Sequence, residues 1–341
     1  MDPPVRTRRV LVLMRPDLVP PDDWEGHPDD EINQWKTEYD VVTVLRELGH
    51  EVRPLGVQHE LRPLREAVLE WKPHIVFNLL EEFHGEAVYD QNVVSYLELL
   101  RMPYTGCGPR GMVLARGKAL AKKLLAYHRI KVPAFAVFSI GRRVRRPARL
   151  RFPLIVKSLI EHASLGIARA SLVDSDEKLA ERVEFVHRHI GTDAIAEEYI
   201  EGRELYVGVL GNTRLQVLPA WELVFEGFPP NVPHIATARV KHDTKYQERR
   251  GIDHRYADLP PELVSEIDRT TKRIYRVLEL DGYARIDYRL AKDGTFYFLE
   301  ANPNPEVAEG EEFAAAAEHA GIPYGELLQR ILRLGLRRHR G

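Results

Sequence analysis

Four polar residues near the C-terminus have the types and spacing that metal and phosphate chemistry requires. Ala284-Arg285-Ile286-Asp287-Tyr288 and Phe298-Leu299-Glu300-Ala301-Asn302 read as strands, with Lys292-Asp293-Gly294 as the turn between them. Strand alternation puts Arg285 and Asp287 on one face of the first strand, and Glu300 and Asn302 on one face of the second. The hairpin thus offers two carboxylates, an amide oxygen and a guanidinium among apolar neighbours. Oxygen donors of this kind suit Mg²⁺, with Mn²⁺ as a substitute, because such ions take carboxylates together with substrate phosphates. The plain alternative is a hairpin whose outer face is merely solvated.

Two lysines weigh against that alternative. Lys157 ends the apolar run Pro153-Leu154-Ile155-Val156, and the loop after it holds Ser164 and Gly166, whose backbone N–H groups can approach phosphate oxygens. The loop lacks the Gly-Lys-Ser/Thr of a Walker A motif. Lys118 opens a second basic element, the helix from Gly117 to Tyr127. The segment Glu197-Glu198-Tyr199-Ile200-Glu201-Gly202-Arg203-Glu204 is a strand running into a turn. Its backbone can pair with an adenine edge, and Glu204 can accept from ribose hydroxyls. A charged edge strand is the other reading of the same segment.

The elements that must hold these residues alternate at first. Strands at Arg9–Met14, Glu51–Leu55 and His74–Asn78 are separated by helices from about Trp35 to Leu48 and from Leu61 to Trp71, and a third helix runs from Val88 to Leu100. This predicts a parallel sheet covered by helices, ending near residue 112. The middle reads as strands at 134–138, 153–157 and 194–200 with a helix from Asp176 to His189. Leu205–Leu210 and Arg214–Pro219 predict a hairpin around Gly211-Asn212. Residues 226–261 read as a long loop, followed by a helix from Pro261 to Leu278, the site hairpin and a C-terminal helix from Tyr324.

Composition sets outer limits. The chain has 341 residues, 49 Lys+Arg against 51 Asp+Glu, and one cysteine. The resulting net charge of -2 supplies no broad basic field for nucleic acid. A lone Cys107 excludes an internal disulfide framework and suits a reducing cytoplasm. No apolar run approaches the ~20 residues of a membrane span.

Taken in order, Lys118, Lys157 with its small-residue loop, Glu197 to Glu204, and Arg285/Asp287/Glu300/Asn302 resemble the ATP-grasp enzymes, and most of all the D-alanine–D-alanine ligases. Met102-Pro103-Tyr104-Thr105-Gly106 and Gly321-Ile322-Pro323-Tyr324 add to the likeness, which spans nearly the whole chain. The resemblance implies an α/β and α+β fold of three lobes: an N-terminal parallel-sheet domain (1–112), a central ATP-grasp lobe (113–202) and a C-terminal lobe with the metal site and a mobile loop (203–341). It implies that Lys118, Lys157, Ser164 and Gly166 hold ATP phosphates and that Glu197, Tyr199, Ile200 and Glu204 hold adenine and ribose. Lys245-Tyr246 would supply a further phosphate contact from the loop. Asp287, Glu300 and Asn302 would hold two Mg²⁺, and Arg285 would stabilise the carboxylate being activated. The reaction implied joins a small-molecule carboxylate to an amine through an acylphosphate. A homodimer would fit the family, with neither nucleic acid nor membrane as partner.

The substrate pockets depart from the family. Its Glu-Val-Ser is matched here by no such motif in Ile32-Asn33-Gln34-Trp35-Lys36, its Leu-His-Gly by Leu80-Glu81-Glu82, and its paired serines by Ala163-Ser164. After Asn302, Pro303-Asn304-Pro305-Glu306 with Glu309, Glu311 and Glu312 replaces the residues that receive an amino-acid carboxylate. The acidic set Glu81, Glu82, Glu306, Glu309, Glu311 and Glu312 is therefore expected to meet a substrate carrying positive charge or a free amine, and Glu81, Glu86 and Glu306 are the candidate substrate residues. A solvated acidic loop is the alternative. A D-alanine–D-alanine ligase with a divergent pocket and a non-catalytic nucleotide binder are the competing readings of the whole.

Overall fold

The computed structural model describes residues 6–22, 26–160, 169–227, 235, 240 and 244–338. Apolar Arg9–Met14 forms β1, which pairs in parallel with β2 (Glu51–Gly56) and β3 (Ile75–Asn78) in the order β2-β1-β3. The helices are α1 (Asp29–Glu47), α2 (Arg62–Glu66, continued by a π turn over Ala67–Trp71), α3 (Asp90–Leu99), α4 (Pro109–Arg116) and α5 (Lys118–Tyr127). Both faces of β1 are buried, so its side chains feed two cores. Leu11 and Leu13 pack with α2, α3 and α4, whereas Val10, Val12 and Met14 pack with α1.

The second sheet holds β4 (Phe135–Phe138), β5 (Leu154–Ser158), β6 (Leu172–Val173) and β7 (Ala194–Glu198) in the order β4-β7-β5-β6, all antiparallel. Helix α6 (Asp176–Phe185) buries Leu179 and Val183 against it, and the Ser175 hydroxyl caps that helix by accepting from the Lys178 N–H.

The third sheet holds β8 (Gly202–Leu210), β9 (Gln216–Val217), β10 (Trp221–Phe225), β11 (Ile252–Tyr256), β12 (Tyr283–Ala291) and β13 (Phe296–Asn302). Its order is β11-β10-β8-β12-β13, with β9 beside β8. The stretch 226–261, expected as one long loop, instead contains α7 (Thr244–Arg250) and β11. Charged side chains on Ile252–Tyr256 hide that strand from a hydrophobicity reading, and its pairing with β10 makes it an edge.

Along β8 and β12 one set of alternating residues (Leu205, Val207, Val209, Ala284, Ile286, Tyr288) is core, packed with residues of α5 and α8 (Pro261–Val277). The other face therefore carries Glu204, Tyr206, Arg285, Asp287 and Arg289. Helix α9 (Glu312–His319) follows the hairpin, and α10 (Tyr324–Arg338) returns to the first sheet. Leu327, Leu328, Ile331 and Leu332 of α10 share a core with Val10, Val12, Ile75 and Phe77. The last helix thus closes the first sheet, and a Cβ on Gly335 would lie 2.4 Å from the Tyr104 carbonyl oxygen and 2.9 Å from Ile75 Cδ1. Gly335→Ala is expected to cost about 1–3 kcal/mol by overpacking, which outweighs the helix propensity gained, and to lower the melting temperature by a few degrees in a thermal scan. Among the described residues no helix is long and apolar enough to cross a membrane.

Candidate active site

The hairpin brings its four polar residues to one face through an irregularity. Pairing from the turn runs Leu290↔Phe296, Arg289↔Tyr297 and Tyr288↔Phe298, then shifts so that Asp287 opposes Glu300 and Arg285 opposes Asn302. Leu299 is the extra residue of a β-bulge. Without it, Glu300 would oppose Ile286 and point into the core. With it, two carboxylates and an amide converge beside a guanidinium. Arg285 donates from Nε to Asp287 Oδ1 at 2.8 Å and from the guanidinium terminus to Oδ2 at 3.1 Å. Its guanidinium also lies 4.8 Å from the centre of the Tyr206 ring and 3.7 Å from Glu312. Glu312 in turn is 3.2 Å from His254 on β11.

Lys118, at the start of α5, is buried and 3.9 Å from Glu300. Four residues on, and so on the same helix face, lies Lys122. Sequence reasoning passed over it, although Lys-x-x-x-Lys on one helix was the available signal. Lys122 is 0% exposed, 3.4 Å from Glu197 Oε1, and donates to the bulge carbonyl of Leu299 at 2.5 Å. Lys157 reaches the other oxygen of Glu197 at 3.1 Å. Glu197 is thus enclosed between two ammonium groups. Burial opposes its charge, but Lys122 and Lys157 prevail and hold it below the usual carboxylate range. Burial also opposes the charge on Lys157; Glu197, Glu300 and Glu204 outweigh it and raise that lysine. For Lys122 burial wins over Glu197, with the Lys157 charge adding to it, and lowers the group to about 8.

The remaining expected nucleotide residues are placed nearby. Glu204 contacts Arg289 at 3.3 Å and accepts from the Tyr206 hydroxyl at 3.0 Å. Tyr199 is half-buried with the Arg289 guanidinium 5.5 Å from its ring centre, and Ile200 is half-buried beside it. Tyr246 packs from α7 onto the cluster of Tyr206, Leu223, Phe225 and Ile252. Lys245 belongs to the same helix, its side chain outside the described residues, as are Ser164 and Gly166 altogether.

A second, acidic cluster borders Arg285. Glu306 accepts from the Thr37 hydroxyl at 3.1 Å, and its charge acts on Glu38, Glu81 and Glu311. Glu38, buried on α1, is pushed up to about 8 by burial first and by Glu81 and Glu306 next. Glu311 rises to about 7 through burial, Glu306 and Glu312. Glu81 rises to about 7 as well, enclosed by surrounding protein while its side chain still meets solvent. Arg15, Lys36, Arg116 and Arg285 oppose these charges: Arg116 and Arg15 act on Glu81, Lys36 and Arg285 on Glu311, Arg15 lies 3.5 Å from Glu82, and Lys36 bonds Asp40 and the Glu309 carbonyl. Glu86 is exposed in the turn that its backbone forms with Phe83, and it does not enter this group.

The donor set Asp287, Glu300 and Asn302 contains oxygen only, which fits a hard divalent cation and not zinc. Among the described residues no three His, Cys, Asp or Glu side chains form a cage. Mg²⁺ needs none, since it is held by one or two carboxylates with substrate phosphates and water.

Comparison with known proteins identifies the architecture. Residues 124–333 match the family model described as D-ala D-ala ligase C-terminus. The chain is 31% identical over 305 residues to the D-alanine--D-alanine ligase of Desulforudis audaxviator, covering 87% of this chain and 92% of that protein. It is 31% identical over 306 residues to the uncharacterized protein y4sG of Sinorhizobium fredii, covering 88% of each. The D-alanine--D-alanine ligase of Bacillus anthracis, in a crystal structure complexed with ATP, superposes with a TM-score of 0.74 at 22% identity, over 98% of this chain and 99% of that one. The fold is that of an ATP-grasp enzyme, a ligase that joins carboxylates to amines. Within that class the chain belongs to the D-alanine–D-alanine ligase family.

Proposed function

We infer that this ligase uses ATP and Mg²⁺ to activate a small carboxylate and joins it to a substrate bearing a free amine or extra positive charge. The observation that carries the substrate reading is the acidic group Glu38, Glu81, Glu306 and Glu311 near Arg285, where Glu306 raises the proton affinity of the other three. Such a group repels a second carboxylate and is relieved by a cation. Lys118 and Lys157 would hold ATP phosphates, with Lys245 and Tyr246 covering them, and Tyr199, Ile200 and Glu204 would hold adenine and ribose. Glu197, by this reading, fixes Lys157 rather than touching nucleotide.

Asp287, Glu300 and Asn302 would hold Mg²⁺, which when bound neutralises charge on the transferring phosphate. A carboxylate oxygen of the acid attacks the γ-phosphorus, the bond to the β–γ bridging oxygen breaks and ADP leaves. The amine nitrogen then attacks the acyl carbon, phosphate departs with the C–O electron pair, and the nitrogen loses one proton. Arg285, beside Asp287 and Glu312, would stabilise negative charge on the acyl oxygens at both stages. The three sheets support the lobes 1–112, 113–202 and 203–341, and the lone buried Cys107 fits a cytoplasmic enzyme.

The test is a screen of acid and amine pairs, reading ADP release and product mass with the full chain. Amine-dependent ADP release is expected, and Asp287→Asn should lower kcat by about 10²-fold or more. ADP release with no amine or amino acid at all would remove the reading. The relatives' names favour one competing outcome: D-alanyl-D-alanine formed from D-alanine alone would assign the dipeptide reaction instead.

A further inference from the structure

A cavity of about 270 Å³ lies between the β8–β9 turn and the last turns of α10, in a part of the molecule that the ligase site does not use. Its floor includes Leu210 and Leu334, and its walls carry Arg214, Arg330, Arg333 and Arg337. The three helix arginines stand three and four residues apart, so they share one face, and Arg214 joins them from the turn. Glu326 pairs with Arg330 and Arg333, leaving one carboxylate against four guanidinium groups. Arg214 and Arg337 make no ion pair among the described residues.

The turn that carries Arg214 is fixed rather than loose. Gly211 donates to the Gly282 carbonyl at 2.8 Å and accepts from the Tyr275 hydroxyl at 2.9 Å. Asn212 accepts from the Gly282 N–H at 2.9 Å and donates to the Leu334 carbonyl of α10 at 3.1 Å. Gly211 has φ of 135°, and a Cβ there would meet the Arg214 carbonyl oxygen at 2.1 Å, so glycine is required. Both walls of the cavity are therefore tied together before any ligand arrives, which lowers the ordering cost of binding.

Guanidinium forks match phosphate oxygens in pairs, and an apolar floor accommodates the organic body of an ester. The volume suits a small molecule, and the chain's net charge of -2 supplies no general attraction for polyanions. We propose that this groove binds a small phosphate-bearing anion at a site separate from the ATP site.

The probe is inorganic pyrophosphate, titrated by calorimetry into the full chain saturated with ADP and without added metal. One binding event is expected, weakened by raised ionic strength. Arg333→Gln with Arg337→Gln should weaken it at least about tenfold while leaving ADP affinity unchanged. Arg214→Gln, on the opposite wall, should weaken it independently of any change in the helix. Absence of pyrophosphate binding to the parent chain, or parental affinity retained in both sets of variants, would overturn the proposal.

Discussion

Glu197→Gln is expected to unfold about 5–10 °C below the parent chain and to bind ADP more weakly, the largest stability loss of any single polar substitution in the site. Glu197 is 0% exposed and is the shared anion of Lys122 and Lys157. Removing one member of a buried ionic group leaves charge uncompensated, at a cost of about 3–5 kcal/mol. Deprotonation limits the loss, because Lys122 already sits at about 8 with Glu197 present and falls further without it. The sign of the pH dependence follows. The unfolded value is the same in both chains, and losing Glu197 moves proton loss from the folded Lys122 below 8, so the deficit that this lysine gives the variant is largest at low pH, shrinks as pH rises toward 8 and does not change further above it. Lys122→Met is the contrasting case. It leaves Glu197 paired with Lys157 and loses mainly the donor to the Leu299 carbonyl, so about 1–2 kcal/mol is expected. Thermal scans at pH 6 and 8.5 with an ADP titration decide the matter. Equal stability of Glu197→Gln and the parent at both pH values would sink the account.

Much of this site was legible in sequence because it depends on local pattern. The hairpin, its turn and the alternation of Arg285 with Asp287 follow from strand periodicity. What alternation leaves open is whether the pairs on the two strands share a face. That depends on the bulge at Leu299, which no residue type announces and which the Lys122 ammonium and the partner strand select together. Lys122 itself was hidden because a Lys-rich helix reads as solvated, and only packing of α5 against β13 reveals that one lysine is fully enclosed. For Glu197 the family resemblance implies a nucleotide contact; its burial between two lysines is a tertiary fact. The edge strand Ile252–Tyr256 was missed for a related reason, since its charged side chains face solvent and only one neighbour pairs with it. The return of α10 to the first sheet is likewise a long-range choice, visible in sequence only as an amphipathic helix.

Glu38→Gln is expected to stabilise the chain in a strongly pH-dependent way, with little effect at pH 5 and on the order of 4–5 kcal/mol, or roughly 10 °C, by pH 8.5. The buried Glu38 carboxyl is raised to about 8 by burial and by the charges of Glu81 and Glu306, with Arg15 opposing. Below the ordinary carboxylate range both folded and unfolded chains hold the proton and nothing is lost. Between 4.5 and 8 the unfolded chain releases its proton while the folded chain keeps it, so stability falls as pH rises; above 8 both are ionised and the loss is complete. Glutamine keeps the shape and cannot ionise, which removes the loss. Thermal scans across this range measure it, and a difference that stays constant from pH 5 to 8.5 would refute the assignment. The same coupling gives the substrate reading an independent signature. A cationic substrate entering beside Glu306 favours the ionised forms of Glu38, Glu81 and Glu311, so binding near pH 7 must release protons to the buffer. Calorimetric heats of the true amine substrate should then change between buffers of different ionisation enthalpy, and that change should shrink in Glu38→Gln. A zwitterion whose amine is held elsewhere would leave the heats independent of buffer, which separates a cluster that reads positive charge from one that only lines the cleft.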